Sequence, residues 1–165
     1  MGLNLQVGVT SWKSGSQWTA DVLCQQGELA QTMGFHSFWL PENHFGDDLC
    51  IPSPLTLLAA VAARTQTIKL GTASYLLPIR HPLLAAEEVA VLDQLSEGRV
   101  ILGVGRGVQS SVFKAFDLPS KEKRQRFAEN LAIMRKAWAG EPIFHHEGES
   151  VYLAPLPIQR PYPPV

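Results

Sequence analysis

The segment that decides the fold reads IKLGTASYLLPIRHPLLAAEEVAVLDQLSEGRVILGV over residues 68–104. Its first part, 68–76, is rich in residues that favour strands. Pro82 stands where a helix would begin, and the residues after it carry an apolar stripe at helical spacing. The segment ends at 100–104 in a continuous hydrophobic run, as in a strand covered on both faces. This pattern predicts a strand–helix–strand unit with two parallel strands.

The same alternation continues on both sides of this unit. It predicts strands at 5–10 and 37–40 and helices at 19–33, 54–64 and 121–139. Four such βα units indicate an α/β protein with a parallel sheet. Residues 142–153 predict a hairpin around Glu147 and Gly148. Residues 154–165 contain five prolines in twelve positions and predict an extended connector. We treat 1–165 as one domain in which 141–165 form the hairpin and the Pro-rich connector.

The composition is that of a globular protein. The chain has 165 residues, 14 basic against 15 acidic side chains and 45% hydrophobic residues. This charge balance argues against a nucleic-acid partner, and no apolar run approaches the roughly 18 to 20 residues of a membrane span. The sequence begins without a signal-peptide pattern, so we expect a cytoplasmic location. Cys24 and Cys50 lie in unrelated contexts and His145 and His146 have too few partners, so we expect no disulfide framework and no metal.

Candidate functional residues follow the second and third strands. In parallel α/β folds the ligand site forms at the carboxyl ends of the strands. Glu42 and His44 lie just beyond the second strand, where an imidazole could act as an acid, a base or a donor to an anion. A histidine that only satisfies its own loop is the alternative. Ala73 and Ser74 leave room for an aromatic ring system, although small core packing accounts for them equally well.

A glycine-rich stretch follows the fourth strand. Gly103, Gly105 and Gly107 let the backbone approach a flat or anionic ligand, and Arg106 offers a planar guanidinium suited to phosphate. The alternative is that Arg106 pairs with a neighbouring carboxylate. A dinucleotide fingerprint requires another glycine where Val108 stands, so the stretch does not predict a Rossmann fold.

Five motifs carry a resemblance to a known family. They read FWLPENHF at 38–45, PLTLLAA at 54–60, IKLGTA at 68–73, LPIRHP at 77–82 and LGVGRG at 102–107. In order and spacing these motifs resemble the bacterial luciferase-like, flavin-dependent monooxygenase family. The resemblance covers nearly the whole chain.

The resemblance implies an α/β fold of the (β/α)8 TIM-barrel type that holds reduced FMN at its carboxyl face. There, reduced flavin and O2 oxidise an aldehyde or another small organic substrate. His44 matches the catalytic histidine near the reactive edge of the flavin. Ala73 and Ser74 match positions that touch the isoalloxazine, and Arg106 matches an arginine that contacts the cofactor. We add Gly105 as a cofactor-binding position because the backbone can approach a ligand there.

A full barrel takes about 250 residues. We therefore expect only the first four βα units with the hairpin and the Pro-rich tail, which is a half barrel. An enzyme of this kind would be completed by a further copy in a homo-oligomer or by a complementary half-chain, with a flavin reductase as a further partner. Two alternatives stay open: a truncated, non-catalytic module that works by flavin binding or association, and an enzyme that uses a deazaflavin for hydride transfer.

Overall fold

The computed structural model describes residues 5–12, 19–46 and 50–165 of the chain. The strands are β1 (Gly8–Thr10), β2 (Ser37–Leu40), β3 (Lys69–Thr72), β4 (Tyr75–Leu76), β5 (Val100–Ile101), β6 (Val104–Gly105), β7 (Phe144–His146) and β8 (Glu149–Val151). The helices are α1 (Ala20–Thr32), α2 (Pro54–Arg64), α3 (Pro82–Leu95), α4 (Ser110–Ala115) and α5 (Lys123–Trp138).

A parallel sheet forms the centre of the molecule. Its strands lie in the order β1-β2-β3-β5, and β4 and β6 form a second parallel pair. Phe38 is in register with Val9 on one side and with Leu70 on the other, and Leu70 is in register with Val100. Helices connect the strands of the main sheet, so the predicted α/β class with a parallel sheet is confirmed. The strands β7 and β8 form the predicted antiparallel hairpin.

The third and fourth strands differ from the prediction, because each is broken in two. The predicted strand at 68–76 is divided into β3 and β4, and the one at 100–104 into β5 and β6. At the break the hydroxyl of Thr72 donates to the carbonyl of Gly103 at 2.9 Å, and the amide of Tyr75 donates to the same carbonyl at 2.7 Å. A Cβ on Gly103 would collide with the carbonyl of Thr72. This close approach of the two backbones interrupts the regular ladder.

Two further boundaries were wrong, and one helix was missed. The first strand begins at Gly8 instead of residue 5, because Leu5 is exposed and has no neighbour that would bury it. The last helix begins at Lys123, after a 3-10 turn over Ser120–Glu122, instead of at 121. Helix α4 was not predicted, since it has only six residues and its buried side chains, Val112 and Phe113, are adjacent in sequence.

Arg99 closes the amino ends of the strands. Its guanidinium is buried and hydrogen-bonds to the ends of two helices and to the start of β3. The acceptors are the carbonyls of Ala62, Ile68 and Ser96 and the hydroxyl of Thr65, at 2.7 to 3.2 Å. A single guanidinium thus donates to four buried acceptors, so Arg99 stabilises the junction of α2, α3 and β3.

The Pro-rich tail packs against the body of the protein. Gln159 hydrogen-bonds to both carboxylate oxygens of the buried Asp93, at 2.7 and 2.9 Å. The ring of Tyr162 packs against Trp138 at a tilt of 40°, with ring centroids 5.8 Å apart. The amide of Leu102 donates to the carbonyl of Pro164 at 2.8 Å. The tail is therefore anchored along α3, α5 and the edge of β5, which its composition did not indicate.

The remaining sequence features concern cysteines, metal ligands and membrane spans. Cys24 is buried, Cys50 is half-buried, and both are free thiols. Within the described ranges, no group of three or more His, Cys, Asp or Glu side chains is placed to hold a metal ion. Every helix that the structure describes is too short or too polar to cross a bilayer.

Candidate active site

A cavity of about 490 Å³ opens at the carboxyl ends of β2, β4 and β6. All five residues that the sequence singled out as catalytic or cofactor-binding line it, namely His44, Ala73, Ser74, Gly105 and Arg106. They come from three separate strand ends that lie far apart in sequence. The parallel sheet brings them together because its strands all end at the same edge.

Small residues keep one wall of the cavity open. Ala73 and Ser74 lie in the break between β3 and β4, and Gly105 lies beside them in β6. A Cβ on Gly105 would collide with the hydroxyl of Ser74, so a larger residue would push into this wall. Gly107 has φ +72°, which only glycine adopts without cost, and the chain turns there towards α4. The wall can therefore accept a flat ring.

Three cationic side chains line the same cavity: Arg106, Lys123 and Arg124. Arg106 is exposed, and no carboxylate among the described residues pairs with it. Lys123 and Arg124 stand in the first turn of α5 and were not predicted as site residues. Cations at the amino end of a helix oppose its dipole, and this is the sequence signal that could have identified them. The three charges favour an anionic ligand.

His44 is held by a buried carboxylate. Its Nε2 lies 2.6 Å from Oε1 of Glu42, and the side chains of His44 and Glu42 are 7% and 0% exposed. The other oxygen of Glu42 accepts the amide of Leu76 at 2.8 Å. Nη1 of Arg80 lies 2.8 Å from Oε1 of Glu42. The imidazole therefore lies at the cavity with one nitrogen engaged by a carboxylate that is itself fixed.

Tyr75 lies beneath this network. The Arg80 guanidinium stacks over its ring at 3.8 Å, and its hydroxyl donates to Glu88 at 2.9 Å. Burial is the main reason that the pKa of Tyr75 is raised well above its ordinary value, and the nearby Glu88 raises it further while Arg80 opposes the shift. The phenol therefore stays protonated and supports the loop that carries Arg80.

Two phenylalanines form an apolar lip beside His44. The ring of Phe116 meets the imidazole edge-on at 5.3 Å between centroids, and Phe45 lies 5.7 Å from it. The two phenyl rings are 5.5 Å apart, and Phe45 is 68% exposed. The mouth of the cavity thus combines a polar group with exposed apolar surface.

Comparisons with known proteins show the family of the chain. A family model described as luciferase-like monooxygenase matches residues 1–165. The oxygenase component of a flavin-dependent trigonelline monooxygenase from Acinetobacter baylyi is 31% identical over 150 residues, which cover 87% of this chain and 40% of that protein.

Two solved structures have similar folds. The monooxygenase RslO1 from Streptomyces bottropensis superposes with a TM-score of 0.85 and 33% identity, over 96% of this chain and 52% of that one. The oxygenating constituent of 3,6-diketocamphane monooxygenase from Pseudomonas putida, solved with FMN, gives a TM-score of 0.77 and 30% identity, over 90% and 42% of the two chains. The chain thus spans about half or less of the length of these relatives. It belongs to the luciferase-like monooxygenase family.

Proposed function

We propose that the protein is an FMN-dependent monooxygenase that uses reduced flavin and O2 on a small organic substrate. The observation that carries this proposal is the cavity at the carboxyl ends of the strands, where a wall of small residues, a histidine and three cations meet. The family to which the chain belongs supports a flavin as the ligand. The similar diketocamphane monooxygenase structure, which contains FMN, supports this particular flavin.

The residues fit the two ends of FMN. Its flat isoalloxazine would lie against Ala73, Ser74 and Gly105, where the missing side-chain volume leaves space. Its phosphate, with about two negative charges, would be held by Arg106 together with the cations of the first turn of α5. Nothing else in the described part of the cavity offers comparable positive charge.

The reduced flavin would supply the electrons that activate O2. The chain's own part is to position the substrate, exclude water and handle a proton. His44 is the group placed to hold or move that proton, because its side chain lies at the cavity and is almost completely buried. The lip of Phe45 and Phe116 offers an apolar surface to a substrate and to the ring of the flavin.

We further propose that the chain supplies the first half of a (β/α)8 barrel. The order β1-β2-β3-β5 with intervening helices is that of successive barrel strands, and the relatives are about twice as long. A further copy of the chain or a complementary half-chain would complete the barrel. A flavin reductase would supply the reduced cofactor, and the similarity to the oxygenase component of a flavin-dependent monooxygenase supports such a partner.

The test is an oxygenation assay on the purified protein. A flavin reductase supplies reduced FMN, a panel of aldehydes and cyclic ketones serves as substrates, and oxygenated product is measured. We expect product from at least one substrate with FMN and none with a reduced deazaflavin. Ala73→Trp, which fills the wall of the cavity, should abolish product, whereas Ala63→Trp on the exposed side of α2 should retain it. A colourless protein that associates but binds no FMN would instead favour the non-catalytic module.

A further inference from the structure

Glu42 is a completely buried carboxylate that a loop alone does not require. Its side chain is 0% exposed, and three donors surround it: Nε2 of His44, Nη1 of Arg80 and the amide of Leu76. Burying a carboxylate is costly, and a buried polar group of similar shape could satisfy the Leu76 amide without a charge. The negative charge pairs with Arg80 on one side and lies against His44 on the other.

We propose that Glu42 is a positioning residue that fixes the tautomer and the orientation of His44, an inference that rests on the function proposed for the cavity. An ionised carboxylate only accepts hydrogen bonds, so at 2.6 Å the proton of this contact belongs to Nε2 of the imidazole. In the neutral ring Nδ1 is then unprotonated. Nδ1 is the nitrogen left to accept a proton or a hydrogen bond from a ligand in the cavity.

Arg80 and the backbone keep the carboxylate from turning. Arg80 shares Oε1 with the histidine, while the Leu76 amide holds Oε2 at 2.8 Å. The loop that carries Arg80 is anchored in turn, because Asn130 of α5 donates to the carbonyls of Leu77 and Arg80 at 3.1 and 3.0 Å. Both oxygens of Glu42 therefore face donors, and the carboxylate has one orientation.

The edge of the imidazole is confined as well. Phe116 meets the ring at 87°, and its centroid lies 5.3 Å away. A ring fixed at Nε2 and packed against Phe116 presents Nδ1 in one direction only. A proton acceptor with a fixed position supports a higher reaction rate than a mobile one, because a small displacement of a reacting group lowers the rate strongly.

The informative substitution is Glu42→Gln, which keeps the size and removes the charge. With donors on both sides, a glutamine must place its NH2 group against one of them. If its carbonyl stays on the Leu76 amide, the NH2 faces Nε2 of His44 and forces the proton onto Nδ1. We expect turnover to fall at least tenfold while FMN affinity stays within threefold. Glu87→Gln, at an exposed position of α3, is the matched control and should leave both unchanged.

The decisive readout does not depend on the cofactor. Long-range ¹⁵N–¹H NMR of the flavin-free protein labelled in its five histidines reports which nitrogen of each neutral ring carries the proton. Loss of one set of signals in His44→Gln assigns His44. We expect Nε2–H in the parent protein and the opposite tautomer, or a mixture, in Glu42→Gln.

Nδ1–H in the parent protein would overturn the positioning role, and so would equal turnover of parent and Glu42→Gln. If Glu42→Gln does not fold, the tautomer of His44 in the parent protein alone tests the positioning role of Glu42. A parent that has the expected tautomer but binds no FMN would contradict the function proposed for the cavity and leave the positioning of His44 standing as a structural fact.

Discussion

Arg99 and Arg106 lie seven positions apart in the sequence and at opposite ends of the same part of the sheet. Arg99 precedes β5 at the amino end, is 7% exposed and donates to four acceptors of the protein itself. Arg106 follows β6 at the carboxyl end, is exposed and forms no ion pair with the residues that the structure describes. One guanidinium is satisfied by the fold, and the other is available to a ligand.

The charged residues at the two ends of the sheet therefore have different kinds of partner. At the amino end, charge is used to satisfy carbonyls that the packing of helices buries. At the carboxyl end, Arg106, Lys123 and Arg124 line the cavity, and none of the three forms an ion pair with a carboxylate that the structure describes. Self-repulsion of this kind is unfavourable for folding and is expected where a ligand supplies the opposite charge. We therefore expect substitutions at the amino end to change mainly stability and substitutions at the carboxyl end to change mainly ligand binding.

The largest effect on stability should come from Arg99→Met. The substitution keeps most of the apolar stem but removes a donor from four buried acceptors. An unsatisfied buried acceptor costs about 1 to 3 kcal/mol, with partial compensation by water and, at the carbonyl of Ala62, by the amide of Thr65. We expect a loss of about 3 kcal/mol or more in the free energy of unfolding, measured by urea denaturation. FMN affinity at a temperature where the variant is folded should stay within twofold.

Arg106→Met is the matched control for that experiment. Because Arg106 is exposed at the cavity, its removal should change the free energy of unfolding by less than about 0.5 kcal/mol. Equal losses for the two variants would break the contrast between the two ends of the sheet.

The next effect concerns the rate. His44→Ala should reduce substrate turnover by about 10² to 10⁴, the usual contribution of a positioned acid–base group. FMN affinity should remain within about threefold, which is less than 1 kcal/mol. Steady-state kinetics and a flavin titration separate the two quantities. Unchanged turnover would show that His44 only fills its loop, as the sequence alone allowed.

A smaller effect is expected on binding. Arg106→Ala should weaken FMN binding by about 1 to 3 kcal/mol, the scale of a lost hydrogen bond to a charged group. Fluorescence quenching of FMN measures this. Lys136→Ala, an exposed cation towards the other end of α5, serves as the control and should bind FMN like the parent. Equal affinity of Arg106→Ala and parent would assign Arg106 to structure.

The smallest effect is the alkaline behaviour of Tyr75. Burial raises its pKa above the value of about 10 that a tyrosine has in the unfolded chain. The folded protein therefore retains a proton that the unfolded chain loses above about pH 10, so this contribution to stability is present below that pH and is lost as the pH rises. Between pH 10 and 11 the free energy of unfolding of the parent should fall by up to about 1.4 kcal/mol more than that of Tyr75→Phe. If the free energies of unfolding of the two proteins changed equally with pH in this range, the burial of the phenol would be contradicted.

The elements that the sequence predicted well are those with local signals. Helices α2 and α3 begin at Pro54 and Pro82, as predicted, and carry apolar stripes, and α2 also ends at the predicted residue, Arg64. The convergence of His44, Ala73 and Arg106 followed from the rule that parallel strands end at one edge.

The features that the sequence could not predict depend on long-range contacts. The breaks in the third and fourth strands arise where Thr72 meets Gly103, which are far apart in the chain. The pairing of Glu42 with Arg80 joins two loops in the same way, and each residue alone is consistent with many partners. Helix α4 was missed because six residues are too few to show a period.

Whether this cavity binds FMN is tested most directly by comparing the binding of FMN and riboflavin to the purified protein. The two molecules share the isoalloxazine and differ in the phosphate, which we propose lies beside Arg106, Lys123 and Arg124. Equilibrium dialysis should show saturable FMN binding at least tenfold tighter than that of riboflavin, and Ala73→Trp should abolish both while Ala63→Trp preserves them. Equal affinity for FMN and riboflavin, or unchanged binding in Ala73→Trp, would contradict the claim that this cavity binds FMN.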